Sequence, residues 1–159
     1  MRFLLSAFLL LVLIASPIWA APYENKLPVD AAEALHASEK VILYSLEPTS
    51  WGTTNNLQGF KILGQATLDG KQAVTAVAAF ESAICKKEPK FEVLCFDPRH
   101  AIRVKSKGHT FDFLLCYNCS HLYIYRDNNI ISELDAKGSP KVLNDLLTIN
   151  NIPLSKSNE

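Results

Sequence analysis

The sequence predicts an α+β domain: a mostly antiparallel sheet of about five to six strands, packed by about two to three helices. Three observations predict it. The elements fall in a segregated order of helix, strands, helix, a run of strands and a final helix, rather than in repeated strand–helix–strand units. Between Asp69-Gly70 and Lys86 the apolar residues recur at helical spacing, whereas the segments on either side are short and strand-like. Between Arg99 and Cys116 the apolar residues alternate about a Lys107-Gly108 turn that also brings opposite charges face to face.

Taken in order, Ala31 to Ser38 reads as a helix, with Asp30 as its cap and Glu33 completing a capping box. Val41 to Leu46 is apolar and β-branched at its start, a buried strand. Pro48 to Gln58 is rich in turn formers and reads as an exposed loop. Phe60 to Leu68 is a second strand. The helix that follows carries Ala73, Val77, Phe80 and Ile84 on its buried stripe, widened by Val74 and Ala78. That alanine-rich stripe suits a core better than a partner groove. Phe91–Phe96, Arg99–Val104, Thr110–Cys116, Ser120–Tyr125 and Ile130–Leu134 read as strands, punctuated by Asp97-Pro98, Gly108 and Asp127-Asn128-Asn129. Ser139 caps the last helix, with Pro140 in its first position and Val142, Leu143, Leu146 and Leu147 buried.

The hairpin register can be derived. With Lys107-Gly108 as a two-residue turn, Val104 faces Phe111 and Ile102 faces Phe113, an apolar face. On the other face Arg103 opposes Asp112 and Arg99 opposes Cys116. If Tyr117-Asn118 is the next two-residue turn, Cys116 opposes Cys119, Phe113 meets Leu122 and Phe111 meets Ile124. Leu114 then meets His121, and Asp112 meets Tyr123. Arg103, Asp112, His121 and Tyr123 cluster on the polar face, while His100 lies on the apolar one.

The chain opens as a secretory signal peptide over residues 1–20. Met1-Arg2 is followed by an apolar run from Phe3 to Ile14, then Pro17 and a cleavage site with Ile18 and Ala20 before Ala21. The run is about twelve residues, short of the roughly twenty a membrane span needs. The expected mature domain is residues 21–159, with loose ends at 21–26 and 155–159, no membrane span, and a periplasmic or secreted location. Without Arg2 it holds 15 basic and 16 acidic residues, which gives no electrostatic case for nucleic acid. The Lys86-Lys87 and Lys105–Lys107 patches read as solvated faces.

All four cysteines lie in the mature part, and an even count in a small exported domain favours two disulfides. Three connectivities are open; Cys85–Cys95 with Cys116–Cys119 is the first choice, because only a short turn separates the members of each pair. Two other chemistries compete. Cys116-x-x-Cys119 between strands has the shape of a zinc knuckle, which Cys95 and His100 could complete. It could also serve thiol–disulfide exchange, although reactive pairs usually sit at helix N-termini. His100 and His121 fall on opposite faces and do not converge as an acid–base pair. His36 and His109 read as surface and turn residues. No Gly-x-Ser-x-Gly elbow, phosphate-binding glycine loop or His-Glu-x-x-His helix is present.

Cys95-Phe96-Asp97-Pro98-Arg99-His100-Ala101-Ile102-Arg103, followed by Asp112 to Cys119, resembles a pattern in small uncharacterised exported bacterial proteins. The resemblance covers about a fifth of the mature chain, implies a bacterial exported origin and transfers no mechanism. The expected function is a disulfide-stabilised, non-enzymatic binding or inhibitor-like module, with an unknown protein or small-molecule partner and no cofactor. Its candidate binding residues are Arg99, His100, Arg103, Asp112, His121 and Tyr123. The alternatives are a redox protein using Cys116 and Cys119, or a zinc protein using Cys95, His100, Cys116 and Cys119.

Overall fold

The computed structural model describes residues 24–52, 54–86 and 95–156. Their elements are α1 (Val29–Ala37), β1 (Lys40–Trp51), β2 (Asn56–Leu57), β3 (Phe60–Asp69), α2 (Gly70–Ala83), β4 (His100–Ser106), β5 (His109–Cys116), β6 (His121–Arg126), β7 (Asn129–Asp135) and α3 (Lys141–Ile149). The strands form one antiparallel sheet in the order β2-β3-β1-β4-β5-β6-β7, one strand more than expected. The α+β prediction holds. The predicted signal peptide and the first four residues of the Phe91–Phe96 strand lie outside the described residues; Cys95 and Phe96 are not in a strand. Among the described residues no helix is long and apolar enough to cross a membrane.

The β4–β5 register is as derived, with Arg103 opposite Asp112 and Ile102 opposite Phe113. Its turn residues Lys107 and Gly108 both have positive φ, at 50° and 82°, the geometry that matches strand twist in a two-residue hairpin. The β5–β6 register differs from the expected one by two residues: Cys116 opposes His121, Leu114 opposes Tyr123 and Asp112 opposes Tyr125. The turn holds four residues, Tyr117 to Ser120, because Cys119 folds back beneath Cys116 and Ser120 reverses the chain at φ 59°. A slip of two preserves every side chain's face, so the core face survives the correction.

The three helices cover that face. Ala31, Ala34, Ala73, Ala76, Phe80, Ala83, Leu143 and Leu147 close over Val41, Leu43, Ile102, Phe111, Phe113 and Ile124. The small alanines at 76 and 83 let α2 lie close to the sheet. Its stripe is therefore rotated from the expected one: Val74 is 70% exposed and Ala78 is exposed. In α3, Val142 likewise points outward. The caps also differ. α1 begins after Pro28, and Asp30 accepts a hydrogen bond from the Ala31 amide while Glu33 pairs with Lys107, so no capping box forms. α3 follows Pro140, with Ser139 Oγ accepting from the Lys141 amide. The expected 48–58 loop is partly strand, since β1 continues to Trp51 and Asn56-Leu57 pair with Lys61 and Phe60.

The N-terminal stretch is tied down at Asn25. Its side-chain amide donates to the Cys85 and Asp135 carbonyls, and its oxygen accepts from the Asp135 amide. At the other end, Ser155 Oγ donates to Glu47.

The opposite sheet face is concave. Phe96 lies edge-on to Phe60 of β3 (centroids 5.8 Å apart) and stacked on Tyr123 of β6 (3.8 Å). In a flat sheet those strands would stand roughly 19 Å apart, so one ring can bridge them only if the sheet curls. Gln58, in the β2–β3 turn, reaches Asp112 of β5 and Asn128 at the β6–β7 turn. The enclosed face holds Tyr44, Leu46, Leu57, Phe60, Ala101 and Leu114. Inside it Arg103 Nε and Nη2 donate to the two oxygens of Asp112 at 2.5 and 2.7 Å, Gln58 adds a third bond at 2.7 Å, and Tyr44 lies against the guanidinium. Asp112 is only 1% exposed.

Removing one partner of a buried pair strands the other charge. Arg103→Met is expected to lower unfolding stability by about 3 kcal/mol, and Arg103→Met/Asp112→Leu to recover most of it. Chemical denaturation measures both; a single variant within about 0.5 kcal/mol of the parent would show that the pair is solvated and dispensable.

Candidate functional site

Three sulfurs meet at the mouth of the concave face. Cys116 ends β5 and is bridged to Cys119 in the following turn, Cα to Cα 5.2 Å. The Cys119 amide donates to Cys116 Sγ at 3.0 Å. Cys95 Sγ lies 2.9 Å from Cys119 Sγ, closer than ordinary contact between unbonded sulfurs. The Asp97 amide donates to Cys119 Sγ at 3.2 Å, and the ligating atoms of Cys95, Asp97 and Cys119 lie within 4.8 Å of one another. Cys116 and Cys119 are buried, at 1% and 0% exposure, whereas Cys95 and Asp97 are exposed.

The approach of Cys95 follows from the chain around it. Phe96 is anchored between Phe60 and Tyr123, Pro98 is buried, and the Arg99 carbonyl accepts from the Leu46 amide at 2.9 Å, fastening the segment to β1 just before β4 begins. A proline cannot continue a sheet ladder, so the chain from Cys95 to Arg99 stays irregular and can turn its sulfur onto the Cys116–Cys119 bridge.

The expected Cys85–Cys95 bridge is absent, and both residues carry free thiols. Cys85 follows α2 beside the β7 edge of the sheet, where its amide donates to the Asp135 carbonyl and burial raises its thiol pKa. Phe96 instead holds residue 95 on the concave side, with its sulfur against Cys119.

The six residues singled out in the sequence do not converge. Strand alternation puts Arg103, Asp112, His121 and Tyr123 on the concave side and His100 on the helix side, while Arg99 precedes β4 in the irregular segment. Arg103 and Asp112 satisfy each other inside the fold. His121 Nδ1 lies 3.7 Å from Glu133, and the Tyr123 hydroxyl is pushed up to about 12 by burial, then by its hydrogen bond to Glu133 and that carboxylate's charge. His100 is 2% exposed, its Nε2 donating to Asn144 Oδ1 of α3 at 2.7 Å and its ring edge-on to Tyr117. On that face it cannot join Cys116 and Cys119 around one ion, so the expected zinc set loses its histidine. Asp97, in the sequence only half of an Asp-Pro turn pair, stands beside Cys95 and Cys119 in its place.

No protein-family model, curated protein or solved structure matches the chain. The cluster itself presents an exposed thiol in contact with a buried disulfide, with two backbone amides aimed at the bridged sulfurs. Hydrogen bonds of that kind favour sulfur in its anionic form, which is the nucleophile and leaving group of thiol exchange and the metal-binding form.

His100 gives a pH test of the packing beneath this site. Burial lowers its pKa from 6.5 to about 4, the Asn144 hydrogen bond opposing and Arg99 reinforcing the shift. The unfolded chain takes up this proton as pH falls through 6.5, the folded chain only near 4. Stability from the neutral ring is thus complete above 6.5 and falls by roughly 3 kcal/mol toward pH 4. Denaturation midpoints across pH 4–7 should decline less in His100→Gln than in the parent; parallel curves would mean the ring is not buried neutral.

Proposed function

We propose that the chain is a thiol–disulfide exchange protein in which exposed Cys95 reads out the buried Cys116–Cys119 disulfide. The single observation that supports this most is the 2.9 Å approach of Cys95 Sγ to Cys119 Sγ. Exchange requires a thiolate to attack a disulfide sulfur. The Cys95 thiolate attacks Cys119 Sγ, the Cys116–Cys119 bond breaks, and Cys116 leaves as a thiolate that takes up a proton. The disulfide is then Cys95–Cys119, with one sulfur at the surface. A substrate thiolate attacks Cys95, Cys119 leaves, and a second substrate thiol displaces Cys95. One substrate dithiol is oxidised to a disulfide, and the protein's disulfide is reduced by the same two electrons. The reverse sequence reduces a substrate disulfide.

The amide donors support the leaving thiolates, Cys119 N–H toward Cys116 Sγ and Asp97 N–H toward Cys119 Sγ. A disulfide fits an oxidising space, and a periplasmic or secreted location belongs to this proposal. A non-enzymatic binding module remains the second reading. Its support is a groove of about 430 Å³ between α1 and α2, lined by Leu35, Ala73, Val74 and Val77. None of the six residues expected to bind a partner lines that groove, which ranks this reading below exchange.

The test is exchange with glutathione. The oxidised chain is incubated with reduced glutathione, quenched in acid and mapped by peptide mass. A Cys95–glutathione adduct and a fraction bridged Cys95–Cys119 are expected, and Cys95→Ser should slow reduction of the buried disulfide by about tenfold or more. Reduction at the parent rate in that variant, with Cys116–Cys119 the only bridge seen, would leave Cys95 a bystander.

A further inference from the structure

We infer that the reduced chain holds a zinc ion through the Cys95, Cys116 and Cys119 thiolates and the Asp97 carboxylate. The inference rests on the exchange reading, since both need the Cys116–Cys119 disulfide to open in the folded chain. Reduction adds two electrons and two protons to that bond, one to each sulfur, from an added reductant. Metal binding then displaces the thiol protons to solvent.

Three of the four ligand atoms are already gathered, and the fourth, Cys116 Sγ, is one bond away from Cys119 Sγ. Three sulfurs and one carboxylate are a donor set that zinc accepts, with Zn–S near 2.3 Å, which puts ligating sulfurs roughly 3.8 Å apart. The ligating atoms of Cys95, Asp97 and Cys119 already lie within 4.8 Å of one another, and Cys116 Sγ is bonded to Cys119 Sγ. Cleaving the bridge removes the tie holding two of these sulfurs closer than zinc requires. Widening the 2.9 Å gap between Cys95 and Cys119 by under 1 Å brings that pair to zinc spacing, within reach of a side-chain rotation at exposed Cys95.

The surroundings support the same assignment. Zinc-bound thiolates need outer hydrogen bonds to hold their lone pairs and disperse charge. Two are in place: the Cys119 amide to Cys116 Sγ and the Asp97 amide to Cys119 Sγ. Cys116, Cys119 and the backbone between them form a tight turn at the end of a hairpin, and Phe96, clamped between Phe60 and Tyr123, delivers the other two ligands from one short segment. His100 faces the helices and is excluded from the set, and Cys85 stands beside β7, two strands from Cys116 on β5.

The bound state is exclusive of the disulfide, so oxidation ejects the ion and reduction readmits it. The assigned role is a redox-controlled zinc site.

The test uses cobalt(II) as a coloured stand-in for zinc, added without air to the full chain in excess phosphine reductant. Thiols are counted in parallel by alkylation mass. Four thiols and one equivalent of cobalt are expected, with sulfur-to-metal charge-transfer and tetrahedral bands that zinc abolishes. Cys85→Ser and His100→Gln should leave the spectrum unchanged, while Asp97→Ala weakens binding by about tenfold and Cys95→Ser by about a hundredfold. Free thiols with no cobalt bands, or bands indifferent to Cys95→Ser and Asp97→Ala, overturn the zinc inference and leave exchange standing. A disulfide that stays closed in the folded chain under reductant overturns both.

Discussion

The ion pair between Arg103 and Asp112 is the constraint around which the concave side of this fold is organised. A carboxylate with 1% exposure is tolerable only if its oxygens are fully bonded, and here Arg103 fills both while Gln58 adds a third donor. Gln58 can do so only because the β2–β3 turn swings across the sheet, and that swing is the curl. The curl in turn brings Phe60 toward Tyr123 with space for one ring between them, which Phe96 occupies. Residues 95–97 are therefore placed, through a chain of contacts, by a charge pair on β4 and β5.

Much of this was legible in the sequence where a simple period governs. Alternation and charge pairing located β4 and β5 and their register, because a wrong parity would have buried Lys105 and exposed Phe113. The same parity kept the faces right in β6 although the turn length was misjudged. Two residues cannot be told from four when Asn118, Cys119 and Ser120 all suit a turn. The 48–58 segment misled for a related reason: its polar residues are turn formers, yet Asn56-Leu57 is held by pairing with β3, a long-range bond that local propensity does not encode. Val74 and Val142 looked like core because they are apolar, but alanines at 76 and 83 set how α2 seats on the sheet.

The site was half visible. Cys116 and Cys119 announced themselves by spacing. Cys95 was assigned to Cys85 because nearness in sequence stood in for nearness in space, and the anchor that decides the matter, Phe96 against Tyr123, spans 27 positions of chain. Asp97 escaped notice because Asp-Pro is a common turn pair. The one available clue was its position two residues from a cysteine, which lets both side chains address one point when the backbone between them is irregular.

Asn25 has a consequence for how this molecule meets other copies of itself. β7 is an edge strand, and the outward amide and carbonyl of an edge residue are an open template for another chain. At Asp135 that template is already taken: the Asn25 carboxamide donates and accepts there as a neighbouring strand's peptide group would, and Cys85 shares the carbonyl. The Asn25 side chain and the backbone of Ala83 to Cys85 together thus stand in for an eighth strand at that end of β7. Loss of the carboxamide would free the Asp135 amide at the sheet's margin while the Cys85 amide kept the carbonyl, so half of that closure rests on a residue that belongs to no strand.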